Sequence, residues 1–138
     1  MRIMGLDIGT KNIGVAVSDE SGTIAQGREC VLRTTDEKAV DRIKEMAKEY
    51  GVSEIVVGYP LNMDGSSGER AKDSELFAAL LRERTACRIK LWDERLSTKE
   101  AENIMIAGDV SRKKRKRSVD KLAAQLILQS YLDSREKN

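Results

Sequence analysis

The spacing of strand-like runs is what most restricts the fold. Residues 2–6, 13–18 and 23–32 are mostly apolar or β-branched, and only Gly9-Thr10-Lys11-Asn12 and Glu20-Ser21-Gly22 stand between them as turns. Connections this short cannot carry a crossover, so the three runs must pair antiparallel. Beyond Leu32 the pattern changes. Thr34-Thr35-Asp36 can cap a helix in which Val40, Ile43, Met46, Ala47 and Tyr50 recur at helical spacing, and Gly51 suits its left-handed end. Residues 54–58 (EIVVG) read as a strand buried on both faces, closed by Tyr59-Pro60. A turn-rich loop over 61–68 leads to a helix with Ala71, Ser74, Phe77, Leu80 and Leu81 facing inward, and residues 88–92 (RIKLW) make a fifth strand.

Ser97 with Glu100 is a capping-box signature that opens a helix ending near Gly108, and Ser118 can cap a last helix carrying Val119, Leu122, Ala123, Leu126, Ile127, Ser130 and Tyr131 inward. Strands separated by helices pair parallel, so the whole is an α/β chain with a mixed sheet and helices on its faces. At 138 residues it is expected to be one domain spanning 1–138.

Composition then removes chemistries. The chain holds no histidine, which excludes Ser-His-Asp and Cys-His schemes and imidazole metal sites together. Cys30 and Cys87 lack CxxC spacing and read as reduced, structural thiols. Hydrolysis here must use carboxylates, lysine or a metal, and oxygen donors favour a hard cation such as Mg²⁺ or Mn²⁺. No apolar run approaches the roughly 20 residues of a membrane span, and Asp7 interrupts the first strand too early for a secretory core, so a cytoplasmic address without membrane attachment is expected. The net charge is +2, yet Arg112, Lys113, Lys114, Arg115, Lys116 and Arg117 alone carry +6, leaving 2 − 6 = −4 for the remainder. Such a run reads as a solvated loop, either inert or holding a polyphosphate backbone through counterion release. With aromatics at 4%, no base-stacking platform is evident.

Three acids stand out. Asp7 lies in an apolar strand and shares a face with Ile3 and Gly5, where a buried carboxylate needs donors, a cation or a proton; hydrogen bonding to the Gly9-Thr10 turn is the plain alternative. Glu94 follows the fifth strand, at the carboxyl edge of the parallel strands where ligands gather. It shares a face with Lys90 and Trp92, whereas Asp93 points the other way and is the second choice; Glu94 could also be a surface acid paired with Arg95 or Lys99. Asp120 lies one turn from Ala123 and Ala124 at the border of the last helix's apolar stripe, or simply favours a helix N-terminus. Brought together, three carboxylates would hold a pair of divalent cations, an arrangement suited to in-line phosphodiester hydrolysis without histidine.

The segments GLDIGTKNIGVAVSD (5–19), VVGYPLNMDGSSGERA (56–71), DERLST (93–98) and SVDKLAAQLILQSYL (118–132), in that order over nearly the whole chain, resemble the YqgF family, also called RuvX. Its members are pre-16S rRNA nucleases or Holliday junction resolvase-like proteins. The resemblance implies an RNase H-like fold, with a five-stranded mixed sheet of order 3-2-1-4-5 in which strand 2 is antiparallel. It also implies that Asp7, Glu94 and Asp120 are the catalytic and metal-binding acids, with Mg²⁺ or Mn²⁺ as two ions alongside substrate. Arg70 and Arg95 look like basic residues near the active edge that either bind the nucleic-acid backbone or serve the structure, and with residues 112–117 they are the expected nucleic-acid contacts.

The expected function is 5′-end maturation of pre-16S rRNA, with nucleic acid and ribosomal precursor particles as partners and a monomer or homodimer as the unit. A resolvase of four-way DNA junctions shares the same acids. Outside nuclease chemistry, a noncatalytic RNA-binding assembly factor would need the basic run but not the acids. An actin-like phosphotransferase is suggested by DIGT followed by a glycine-containing hairpin, which resembles that fold's phosphate-binding strand pair, but the length argues against it, since such enzymes close two domains around the nucleotide.

Overall fold

The computed structural model describes residues 1–62, 64–94 and 112–136, with side chains over 1–62, 64–94 and 121–135. Its elements are β1 (Arg2–Ile8), β2 (Asn12–Ser18), β3 (Ala25–Leu32), α1 (Asp36–Tyr50), β4 (Val52–Tyr59), α2 (Glu69–Arg84), β5 (Arg88–Asp93) and α3 (Arg112–Glu136). The five strands form one sheet ordered β3-β2-β1-β4-β5. β2 is antiparallel to both β1 and β3, while β4 is parallel to β1 and β5 is parallel to β4, as expected from the short and long connections. Among the described residues, no helix is long and apolar enough to cross a membrane.

Strand alternation splits the core into two layers. Met4, Leu6 and Ile8 pack with Val40, Ile43, Met46, Phe77 and Leu81 beneath α1 and α2. Ile3, Ala16 and Val56 pack on the opposite face with Ala124, Ile127, Leu128 and Leu132 of α3. Helices therefore cover both faces. α3 lies close because small residues face it: a Cβ on Gly5 would stand 2.7 Å from Leu128 Cβ and 3.2 Å from the Ala124 carbonyl oxygen.

Local chemistry fixes the element ends. Thr35 Oγ1 accepts from the Lys38 amide at 3.1 Å to start α1, and Gly51 closes it at φ 67°. β3 begins at Ala25 rather than at residue 23, because Asp19 Oδ1 captures the amides of Thr23 and Ile24 at 2.8 and 3.1 Å and holds them in the turn.

Two expectations for the last helix are corrected. Residues 112–117 are not a loop and Ser118 is not a cap: α3 is already helical at Arg112 and runs through both. Lys and Arg are good helix formers, residues 112–136 contain neither Gly nor Pro, and like-charge repulsion costs only a few tenths of a kcal/mol per pair. The buried stripe is also rotated from the expected one, with Ser130 exposed and Ala124, Leu128 and Leu132 buried. The expected helix over 97–108 lies outside the described residues.

Candidate active site

β1 is central, so its carboxyl end is flanked by β2 on one side and by the parallel strands β4 and β5 on the other. Asp7 sits there on the α3 face, 7% exposed. Glu94 follows the last residue of β5, and its amide donates to the Tyr59 carbonyl at 3.2 Å, which turns the chain inward over β4. Gly58 makes room for it: a Cβ at Gly58 would stand 2.1 Å from Glu94 Oε2 and 2.7 Å from Ile127 Cδ1. Glu94 is thereby 5% exposed while Asp93 is exposed, so Glu94 is the acid placed on Asp7's side of the sheet.

The electrostatics follow from that burial. Desolvation first, then the negative charge of Asp7, raises the Glu94 carboxyl to about 8, with Asp93 adding to the rise and Arg70 opposing it. Glu94 Oε2 is buried and accepts no hydrogen bond among the described residues. A carboxylate in this state calls for a proton or a cation. Arg70, at the start of α2, brings its Nη2 to 3.9 Å from Asp7 Oδ1 while remaining 62% exposed, so its guanidinium is open to an incoming anion.

Asp120 is located by register. Gln129 and Gln125 accept from the amides of Ala25 and Gly27, so α3 runs backward as β3, and with it β1, runs forward. Ala124 stands against Gly5. Two residues along β1, about 6.7 Å, lead to Asp7; one turn back along α3, about 6 Å, leads to Asp120. The backbone thus brings position 120 level with Asp7. Among the described side chains no group of three or more metal-ligating residues occurs; Asp7 and Glu94 form a pair. All-oxygen donors, an orphaned buried oxygen and two like charges fit a hard divalent cation. Arg95 lies outside the described residues, and residues 112–117 stand in the helical turns preceding Asp120.

On the other side of Arg70 a cleft of about 480 Å³ is lined by Thr10, Arg33, Thr34, Asp36, Glu69 and Asp73. Arg33 is its fixed floor, with side-chain exposure of 9%. It donates to Gly9 O at 2.9 Å, to Asp36 at 2.8 Å and through two nitrogens to Asp73 at 2.7 and 2.8 Å.

Comparison with known proteins gives this arrangement a family. The RuvX profile, described as Holliday junction resolvase, matches residues 1–134. The chain belongs to the RuvX family. A relative from Geobacillus kaustophilus (strain HTA426), named "Putative pre-16S rRNA nuclease", is 56% identical over 137 residues, covering 98% of this chain and 99% of its own. A relative of the same name from Carboxydothermus hydrogenoformans is 49% identical over 138 residues and covers both chains fully. Among solved structures, Thermus thermophilus RuvC in complex with Holliday junction substrate superposes with a TM-score of 0.63 at 15% identity, covering 99% of this chain and 96% of that one. The fowlpox virus resolvase with Holliday junction DNA gives 0.60 at 13%, covering 97% and 98%. Such identities speak to fold, and the fold is RNase H-like, with the strand order 3-2-1-4-5 that the family resemblance implied.

Sequence reading did not find Gly58 or the Arg33–Asp73 pair. The glycine's role depends on a carboxylate 36 positions away in the chain, and the ion pair joins residues 40 apart. Neither leaves a local signature.

Proposed function

We propose that this RuvX family member is a cytoplasmic, divalent-metal-dependent nuclease that hydrolyses phosphodiester bonds in 5′-end maturation of pre-16S rRNA. The observation that carries this reading is the buried pair Asp7 and Glu94, whose repulsion and orphaned oxygen ask for a cation at the carboxyl edge of the sheet. Asp7 and Glu94, with Asp120 from α3, would hold Mg²⁺ or Mn²⁺. When bound, a pair of such ions supplies an activated water and stabilises the departing oxygen.

The chain's own residues do the rest. Gly58 admits the Glu94 carboxylate beside β4. Arg70, exposed and within 3.9 Å of Asp7, steers a substrate phosphate to the acids. The basic turns at 112–117 add sequence-independent affinity. The names of the curated relatives favour precursor rRNA as substrate, while the description of the family favours a second reading, resolution of four-way DNA junctions.

The test compares metal-dependent cleavage of a precursor 16S 5′-end RNA and a four-way DNA junction at near-physiological salt. Asp7→Asn is expected to lower the rate on RNA at least ~100-fold, about 2.7 kcal/mol of transition-state stabilisation, with the fold intact by circular dichroism. Junction-selective cleavage would transfer the reading to a resolvase. Full activity in a folded Asp7→Asn variant would reject the acid site.

A further inference from the structure

We propose that the α3-side face of β5 is a lane for a single nucleic-acid strand, running from Arg88 past Lys90 and Trp92 to Glu94; it rests on the nuclease reading of that acid. Among the described residues β5 is an edge strand paired with β4 alone, and the described part of α3 packs mainly over β1, β2 and β3, meeting the side chains of β5 through Ser130 and Tyr131. Alternate residues of a strand share a face, so exposed Arg88, exposed Lys90 and half-buried Trp92 line up about 6.6 Å apart and lead to Glu94, on the face that also carries Asp7. That spacing offers successive cations to the successive phosphates of an extended strand.

The fold also builds here the aromatic platform that the sparse aromatic content conceals. Trp92 and Tyr131, 39 residues apart in sequence, meet edge to face with centroids 5.3 Å apart. Lys90 Nζ stands 5.2 Å, and the Arg135 guanidinium carbon 5.7 Å, from the Tyr131 ring centroid. Tyr131 is held from below, its hydroxyl donating to buried Glu54 at 2.7 Å, and Trp92 Nε1 donates to Ser130 Oγ at 3.3 Å. Arg88, Lys90 and Arg135 are exposed, and Glu54, near Arg135 at 4.0 Å, is the one carboxylate among these contacts. The cluster therefore keeps an excess of two positive charges in a chain that sums to −4 outside residues 112–117. A positive strand face with an indole held in it suits an unpaired strand, whose bases can leave the stack to meet an aromatic ring; a duplex keeps its bases inside.

Trp92 is the chain's single tryptophan, so its fluorescence reports this lane and not the basic turns at 112–117. The full chain is titrated in EDTA with a 5′-labelled, unstructured 12-nucleotide RNA, following label anisotropy and tryptophan emission together. Saturable quenching with the same midpoint as the anisotropy is expected. Lys90→Gln and Arg88→Gln, both at exposed positions, should each weaken binding about fivefold and lower the log K against log salt slope by about one. Binding with unchanged tryptophan emission, variants that bind as wild type, equal quenching by a duplex of the same sequence, or no binding would each overturn the lane. Metal-dependent cleavage alongside any of those results leaves the nuclease reading standing without the lane. Quenching with variant sensitivity but no cleavage when Mg²⁺ or Mn²⁺ is restored supports the lane and rejects the nuclease.

Discussion

Glu94 carries a cost in the folded chain that depends on pH. In the unfolded chain its carboxyl titrates near the ordinary 4.5, while burial and the neighbouring Asp7 raise it to about 8 in the fold. Between those values the folded state holds a proton that the unfolded state has released, so in the absence of metal, stability falls as pH rises from about 4.5 to 8. Glu94→Gln keeps the shape and removes the titration. In EDTA the variant should match wild type near pH 4.5 and exceed it at pH 8 by an amount on the order of 4 kcal/mol, roughly 10 °C or more in Tm. Thermal unfolding across that range checks this, and Mg²⁺ or Mn²⁺ should flatten the wild-type slope by replacing the proton with a cation. A wild-type profile in EDTA with no fall above pH 5 would mean that neither burial nor Asp7 raises the Glu94 carboxyl.

At the scale of elements, α3 is the least expected feature. Its first turn has no acidic residue and its first six positions are all cationic, so these turns oppose both the helix macrodipole and one another. Continuity with the packed segment that follows Asp120 supports them. A polyanion that neutralises the run should therefore add helix: far-UV circular dichroism at low salt is expected to deepen on adding an unstructured RNA, and to change less when residues 112–117 are replaced by Gln. No gain in helix on saturation would show that these turns are stable unaided. The same helix shows what the sequence made legible. Strand alternation placed Asp7 and Gly5 on one face, and short turns against helical crossovers determined which strands pair antiparallel or parallel, because both are local rules. The character of residues 112–117 was not legible, since charge pattern argues for a loop while propensity argues for helix, and the balance lies in tertiary anchoring beyond Lys121. Glu94 could be separated from Asp93 by strand parity; the space that lets it in depends on Gly58, which no local pattern marks.

For the molecule as a whole, the α1 and α2 layer is tied to the site edge of the sheet by Arg33. One guanidinium ties the β1–β2 turn through Gly9, the start of α1 through Asp36 and the first turns of α2 through Asp73, while lying 5.5 Å from the Phe77 ring centroid of the α1 and α2 core. Asp73 is three residues beyond Arg70, so this clamp also sets the helix turn from which Arg70 reaches toward Asp7. Arg33→Met retains much of the stem's packing and removes every one of these bonds. Charge-assisted hydrogen bonds contribute about 1.5–3 kcal/mol each, but side-chain exposures of 45% for Asp36 and 37% for Asp73 let both carboxylates rehydrate, so the expected net loss is about 2 kcal/mol. Urea denaturation should show a lower midpoint at unchanged m, and Arg33→Met with Asp73→Asn should together cost less than the sum of the two, since they share one interaction. Strict additivity would mean that the helical layer and the sheet edge are held by the apolar core alone. The coupling expected here makes Arg33 the link through which the stability of the α1 and α2 layer bears on the position of Arg70 beside Asp7.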